Sequence, residues 1–202
     1  SICPPHAALD VAGRVAAALD GVADSDRPLY LDANAVSPGT VRRIAGLLGT
    51  ELVVDGAVIG PPAWERGQSV LWLAGQHAEP VAELFAGSPF DAQVLGPETG
   101  TQLGAASALK VCYALQSKAL PAIWLQLAQA AEKAGVLDEL RGELARTGVD
   151  LDRQLAEVSG RAGAKAWRWA GEMDEAAEAM SELGLPDGFS RAAAAMYRAV
   201  SG

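Results

Sequence analysis

The sequence predicts an α/β unit followed by an all-α unit, and three observations support this fold class. Before residue 95, short apolar runs alternate with segments of helical periodicity, which is typical of a mostly parallel sheet covered by helices. After residue 135, the apolar residues follow helical spacing throughout. A long run of strong helix formers joins the two parts. We therefore divide the chain into residues 1–95 and residues 96–202.

The first part reads as alternating strands and helices. Pro4 and Pro5 break a strand end, and Ser37 and Pro38 form a favourable helix start because serine caps the helix and proline needs no N–H there. The predicted strands cover residues 1–3, 28–32, 51–59, 69–73 and 92–95, and the predicted helices cover residues 6–19, 38–48 and 79–85.

The second part begins with glycines at every fourth position, Gly96, Gly100 and Gly104, and continues as a helix to about Gly135. Four further helices follow, separated by glycines that are typical of helix ends. We expect these helices at residues 137–146, 151–158, 164–183 and 189–200.

Composition excludes several classes of partner. The 202 residues carry a formal net charge of -9 and half of them are hydrophobic, so we expect a large core and no nucleic-acid partner. No segment is typical of a membrane span or a signal peptide. Cys3 and Cys112 favour reduced thiols and a cytoplasmic protein, and isolated His6 and His77 favour no metal site.

Lys110 is the most conspicuous functional candidate because it is an isolated cation at the head of an apolar helical run. Partial burial would disfavour its ammonium form and bring its pKa towards the range that acid/base catalysis requires. A lysine that reaches from a half-buried helix to solvent fits the pattern equally well.

Three motifs together resemble the β-hydroxyacid dehydrogenase and 6-phosphogluconate dehydrogenase superfamily, in a poorly characterised branch. They are DANAVSP at residues 32–38, VDGAVIGP at residues 54–61, and the glycine-studded turn from Gly96 into the helix of Lys110. The resemblance implies the C-terminal part of a Rossmann-type sheet, joined by a long interdomain helix to a helical domain for substrate binding and dimerisation. It also implies an NAD(P)-dependent oxidoreductase that acts on a hydroxyl or carbonyl carbon of a small molecule.

The resemblance assigns roles residue by residue. Lys110 matches the catalytic acid/base lysine of the superfamily. Cys3, Pro4 and Pro5 match the turn beside the nicotinamide of NAD or NADP, and Asn34 matches a small polar residue near both cofactor and substrate. Gly60 falls in a loop that donates hydrogen bonds to substrate.

The sequence departs from the family pattern at three places. Tyr113 and Ala114 stand where an asparagine pair usually follows the lysine, so we expect Tyr113 and Ser117 to bind substrate instead. Ile59-Gly60-Pro61 replaces Ser-Gly-Gly, which favours a bulkier or less anionic substrate. The sequence also contains no G-x-G-x-x-G loop and opens in mid-strand without methionine, so we expect the first strands of the cofactor domain to be missing.

Two other functions remain open: an imine reductase of the same architecture, and a truncated, non-catalytic dimerisation or binding module. In each case the apolar long helix and the C-terminal helices favour a homodimer. The candidates for closing the pocket of the other chain are then Trp167, Arg168, Trp169 and Glu172.

Overall fold

The computed structural model describes residues 1–201, without the side chain of Ala164, and has the predicted two-part architecture. A four-stranded, mostly parallel sheet with helices occupies residues 1–95, and helices alone occupy the residues from Ala105 onwards. The predicted fold class is therefore confirmed.

The strands and helices of the first part lie close to their predicted positions. Their bounds are α1 (Ala8–Ala18), β1 (Tyr30–Asp32), α2 (Pro38–Leu48), β2 (Val53–Ile59), β3 (Val70–Ala74), α3 (Ala78–Leu84) and β4 (Asp91–Val94). The elements of the second part are α4 (Ala105–Ala114), a π-helical turn (Leu115–Ala119), α5 (Leu120–Ala134), α6 (Leu137–Arg146), α7 (Leu151–Ala162), α8 (Ala166–Glu182) and α9 (Gly188–Ser201).

The sheet has the strand order β1-β2-β3-β4. The pairs β1–β2 and β3–β4 are parallel, whereas β2 and β3 are antiparallel because a short connection joins them. Ser1 extends the sheet beyond β1, since its amino group donates to the Leu31 carbonyl at 2.7 Å and its carbonyl accepts from the Ala33 N–H at 3.0 Å. The predicted strand at residues 1–3 is reduced to this single pairing.

Local signals explain where α2 begins and ends. Ser37 Oγ accepts a hydrogen bond from the Thr40 N–H at 3.1 Å, which is the predicted N-cap. Pro38 occupies the first turn, and the helix ends at Gly49, whose φ of 100° is unfavourable for other residues.

The long helix starts later than its run of glycines suggested. Residues 96–104 form turns, and the helix begins at Ala105. Gly104 has a φ of 96°, and a Cβ atom there would lie 3.1 Å from the Cβ of Pro38. The glycine thus lets the chain pass close to the start of α2 before it turns into the helix.

The helical part has its own core, which alanines and a few large side chains fill. Trp169, Met173 and Tyr197 are buried at its centre, and the rings of Trp169 and Tyr197 pack edge to face at 5.3 Å. This core includes Val111 and Ala114 of α4, so the helix that carries Lys110 is held on one side by the bundle. On its other side α4 packs against β2.

Candidate functional site

Lys110 lies in the middle of α4, half-buried between the sheet and α8. Its Nζ donates a hydrogen bond to the Val58 carbonyl of β2 at 2.9 Å. Burial lowers the pKa of Lys110 from 10.5 to about 8, with Glu172 acting in the opposite direction and Lys118 in the same direction. The neutral amine is therefore accessible near physiological pH.

Asp55 fixes the start of α4 and so positions Lys110. It is fully buried in β2, and its carboxylate accepts from the Ser107 N–H at 3.0 Å and from the Ser107 hydroxyl at 2.6 Å. A carboxylate at a helix N-terminus satisfies free N–H groups and interacts favourably with the helix dipole. The only sequence signal for this role is an aspartate within an otherwise apolar strand.

Asp32 lies opposite Asp55 in the parallel register and is 1% exposed. Its Oδ1 accepts from the side chain and backbone of Asn34, while its Oδ2 has no hydrogen-bond partner. Burial, and next the charge of Asp55, raise the pKa of Asp32 to about 6. Two adjacent buried carboxyl groups therefore stand on the neighbouring strands β1 and β2, and α4 packs against β2.

The structure brings together the two segments that were predicted to bind the cofactor. The Cys3 N–H donates to Asn34 Oδ1 at 2.6 Å, and Asn34 Nδ2 donates to the Ser1 hydroxyl at 3.2 Å. Asn34 is only 2% exposed, so its side chain joins the two strand ends to each other. Cys3 and Pro4 remain half-buried, and Pro5 is buried beside α8. Their contact with cofactor stays a prediction.

Gly60 directly follows β2, two residues after Val58, whose carbonyl accepts a hydrogen bond from Lys110. It is exposed and has a φ of 135°, and a Cβ atom there would lie 2.8 Å from the Cα of Ser69. The glycine is thus explained by close chain packing at the β2–β3 connection. Its predicted contact with substrate stays a prediction.

Tyr113 and Ser117 differ in their access to solvent. Tyr113 is 46% exposed, whereas Ser117 is 5% exposed and its buried hydroxyl has no hydrogen-bond partner. Ser117 belongs to the π turn at residues 115–119, so regular helical spacing from Lys110 does not apply to it. Substrate binding by either residue stays a prediction.

A charged cluster that the sequence did not reveal lies next to Lys110. Glu172 is 4% exposed and accepts from Lys118 Nζ at 2.8 Å and from Arg168 Nε at 2.9 Å. Burial acts to raise the pKa of Glu172, but Lys118, Arg168 and Lys110 outweigh it and hold that pKa below its usual range. Lys118 also lies over the ring of Trp169, 5.8 Å from its centre.

Three of the residues considered for closing the pocket of a partner chain lie in this cluster. Glu172 binds Lys118 and Arg168, and the ring of Trp169 lies beneath Lys118. Their role towards a partner chain stays a prediction. Trp167, in contrast, is 53% exposed. The sequence could not show which of these side chains are buried, because tertiary contacts decide which face of α8 is buried.

Other features of the described residues add no ligand site. A shallow cavity of about 510 Å³ includes none of the candidate site residues; it is lined by Arg66, Gly67, Ala82, Glu83 and residues 85–92. Within residues 1–201, no three His, Cys, Asp or Glu side chains are grouped as a metal site would require. None of the helices in that range combines the length and apolar character needed to cross a membrane.

Two sequence comparisons identify relatives of uncharacterised function. Residues 131–200, which span α6 to α9, match the model of a domain of unknown function, DUF1932. An uncharacterized 28.5 kDa protein from the 7S RNA 5' region of Methanothermus fervidus is 32% identical over 142 residues, which are 69% of this chain and 50% of that protein. The chain thus spans half the length of this curated relative.

Solved structures with the same fold cover nearly the whole chain. A conserved hypothetical protein from Sinorhizobium meliloti 1021 aligns with a TM-score of 0.65 and 26% identity, over 98% of this chain and 65% of that protein. A conserved protein of unknown function, described as structurally similar to 3-hydroxyacid dehydrogenases, aligns with a TM-score of 0.61 and 23% identity, over 99% of this chain and 78% of that one. The 3-hydroxyisobutyrate dehydrogenase of Mycobacterium tuberculosis, solved with L-serine, aligns with a TM-score of 0.57 and 16% identity, over 94% and 71% of the two chains.

Proposed function

We propose that this chain, which has the fold of the 3-hydroxyacid dehydrogenases, belongs to an NAD(P)-dependent oxidoreductase in which Lys110 is the general acid and base. The observation that carries the proposal is the placement of Lys110. Its Nζ lies at the carboxyl-end half of β2, bound to the Val58 carbonyl, with a pKa lowered to about 8. Ligands of α/β sheets bind outside the carboxyl ends of parallel strands.

Lys110 can move a proton in either direction of such a reaction. A neutral amine accepts the hydroxyl proton of an alcohol as its carbon is oxidised, and the ammonium returns a proton to a carbonyl oxygen as the carbon is reduced. Because the pKa of Lys110 is about 8, oxidation should accelerate as the pH rises through 8, while reduction should slow. The Val58 carbonyl holds the amine in one position between these steps.

The residues that meet where β1 ends would bind the nicotinamide end of a cofactor. When bound, NAD or NADP supplies or accepts the hydride. Cys3, Pro4, Pro5 and Asn34 would face it, since their segments meet where β1 ends, and the buried Asp32 Oδ2 beside them lacks a partner. The sequence contains no glycine-rich loop for the pyrophosphate, so these residues account for only one end of the cofactor.

The substitution Lys110→Met tests this function because it removes the amine and keeps the length of the side chain. In the protein assayed with NAD or NADP and a panel of small hydroxy compounds, we expect kcat/KM for oxidation to fall about 10²–10⁴-fold. The remaining activity should lose its rise with pH near 8. Reduction of the cofactor followed by absorbance, across pH 6 to about 10, measures both effects.

Lys133→Met is the matched control because Lys133 is an exposed lysine in the last turn of α5. It should leave both rate and pH profile unchanged. Full alcohol oxidation by Lys110→Met would contradict the proposed role. Imine reduction that is independent of Lys110 would favour the imine reductase alternative.

A further inference from the structure

Strand β2 extends beyond β1 at the carboxyl end of the sheet. The register pairs Asp32, the last residue of β1, with Asp55, whereas β2 continues to Ile59. The chain leaves β1 directly afterwards, because the Asn34 N–H bonds to the Asp32 side chain at 3.4 Å instead of to β2. Within residues 1–201, the end of β2 at residues 56–59 therefore has β3 on one side and no strand on the other.

The register of the sheet also shows which way the peptide groups of Val58 point. The carbonyls of Ser69 and Leu73 accept hydrogen bonds from β4 and its flanking residue, both at 3.0 Å, so the odd-numbered residues along β3 turn their peptide groups towards β4. Val58 pairs with Leu71, one of these odd-numbered residues, so the two exchange no hydrogen bond. The N–H and C=O groups of Val58 therefore point to the open side of β2.

Lys110 binds one of these two groups and leaves the other free. Its Nζ donates to the Val58 carbonyl at 2.9 Å, whereas the Val58 N–H has no acceptor within residues 1–201. In an extended residue the N–H and C=O groups lie side by side. An oxygen atom that accepts from the Val58 N–H would thus lie next to the Lys110 amine. Because Val58 is half-buried and such N–H groups are nearly always paired, this one requires an acceptor from solvent or from a ligand.

Two contacts between β2 and α4 fix the strand and the helix relative to each other. Asp55 accepts from Ser107, and three residues further along both elements Val58 accepts from Lys110. Ala57 of β2, which is fully buried, packs in one cluster with the start of α4. The peptide edge and the amine therefore form a rigid unit.

We propose, building on the acid/base role proposed for Lys110, that the Val58 N–H and the Lys110 amine together bind the reacting oxygen of the substrate. As the carbonyl carbon accepts a hydride from NADH or NADPH, its C=O π electron pair moves to the oxygen, and the Lys110 ammonium transfers a proton to that oxygen. The Val58 N–H donates to the oxygen while its negative charge develops. A fixed peptide N–H that points at a developing oxyanion needs no reorganisation during the reaction.

An amide-to-ester exchange at Val58 removes this donor and keeps the side chain. The α-hydroxy acid analogue of valine, incorporated at position 58 of the 202-residue chain, replaces the N–H with an oxygen atom. With a substrate and cofactor that the parent turns over, kcat/KM should fall about 10²–10³-fold, as for the loss of one oxyanion donor.

The same exchange at Val54 is the matched control. Val54 lies four residues earlier in β2, in register with Leu31, so its peptide groups point to the same side but bond to β1. The ester at Val54 should lose stability in urea through the broken ladder bond and keep the parent kcat/KM. The ester at Val58 should lose less stability, because its N–H has no acceptor in the protein.

Binding of an oxyanion to the Val58 N–H can be measured without turnover. In the chain labelled with ¹⁵N-valine, the Val58 amide signal is identified by its absence from Val58→Ile. Acetate, whose carboxylate resembles the charged oxygen, should move this signal downfield in a saturable way at pH 7, while chloride at equal ionic strength should not. The Val54 signal should stay in place. In Lys110→Met the shift should decrease at every acetate concentration, because the neighbouring cation is missing.

Three results would overturn the proposal: no saturable acetate shift at Val58, parent kcat/KM in a folded Val58 ester, or equal losses of stability in the Val58 and Val54 esters. The titration decides if the Val58 ester does not fold or if no turnover is measured. Full activity of Lys110→Met would instead refute the acid/base role of Lys110, whatever the acetate titration shows at Val58.

Discussion

Asp32 and Asp55 are neighbours on parallel strands, but their surroundings differ. Asp55 receives two hydrogen bonds from Ser107 at the start of α4, while one oxygen of Asp32 has none. An unpaired carboxylate oxygen in a buried site is costly when the group is ionised. Burial, and next the charge of Asp55, raise the pKa of Asp32 to about 6, and burial raises the pKa of Asp55 as well.

Asp32→Asn should stabilise the protein at alkaline pH. The folded state binds the Asp32 proton more tightly than the unfolded state does, so the benefit is complete below pH 3.8 and is lost as the pH rises through about 6. Above pH 7, replacing the ionised carboxylate with an amide should therefore raise the free energy of unfolding, by at most ~3 kcal/mol. Urea unfolding at pH 4.5 and pH 8 measures the difference.

The exposed Asp20 provides the comparison for this experiment. Asp20→Asn should change stability little at either pH. An Asp32→Asn variant that is less stable than the parent at pH 8 would show that its ionised carboxylate is stabilising.

At the scale of elements, α8 joins the two parts of the molecule through an acidic row. Glu175 accepts from the Ser37 N–H at 2.7 Å and from the Thr40 hydroxyl at 2.9 Å, at the start of α2. Glu178 and Glu182 continue the row and pair with Arg43 and Arg42. The row thus ties the bundle to the helix that follows the DANAVSP motif, next to the strand ends of the candidate site.

Glu175→Ala should cost more stability than Glu178→Ala. The first substitution leaves a backbone N–H and a hydroxyl at a helix start without their acceptor, which costs about 1–3 kcal/mol. The second removes a solvent-exposed ion pair, which contributes about 0–1 kcal/mol. Urea unfolding of both variants at one pH gives the comparison, and equal losses would mean that Glu175 contributes only as a surface charge.

Hydrophobic periodicity was sufficient to predict most elements because each has one buried face. The helix at Leu137–Arg146 and the cap at Ser37 were predicted at their observed positions. The π turn could not be predicted, since the sequence of residues 115–119 is compatible with a regular helix. The ion pair of Lys118 with Glu172 was missed for a related reason: it depends on that turn and on the packing of α8.

At the scale of the whole molecule, the long helix leaves an apolar stripe uncovered. Leu120 is 50% exposed and Ile123 is 43% exposed, and their spacing places both on one face of α5. Tyr113 in α4 is also exposed. Large uncovered apolar side chains on one face are typical of an interface. We therefore propose a homodimer in which this stripe and the C-terminal helices pair with a second copy.

Ile123→Asp should convert the dimer into a monomer, because a charge on the stripe would be buried without a partner. Light scattering coupled to size-exclusion chromatography gives the mass of each species. Leu84→Asp is the matched control, since Leu84 is 81% exposed on α3, away from the stripe. A monomeric parent, or an Ile123→Asp variant of dimeric mass, would contradict the proposed interface.

The π turn also affects how relatives of this chain should be aligned. In a relative with the same π turn, the cation equivalent to Lys118 would stand eight positions after the lysine equivalent to Lys110. A protein with a regular helix would need that cation seven positions after the lysine to present it on the same face. An alignment without a gap would compare Lys118 with a residue that points elsewhere, so searches for this pair should allow a one-residue insertion within the helix.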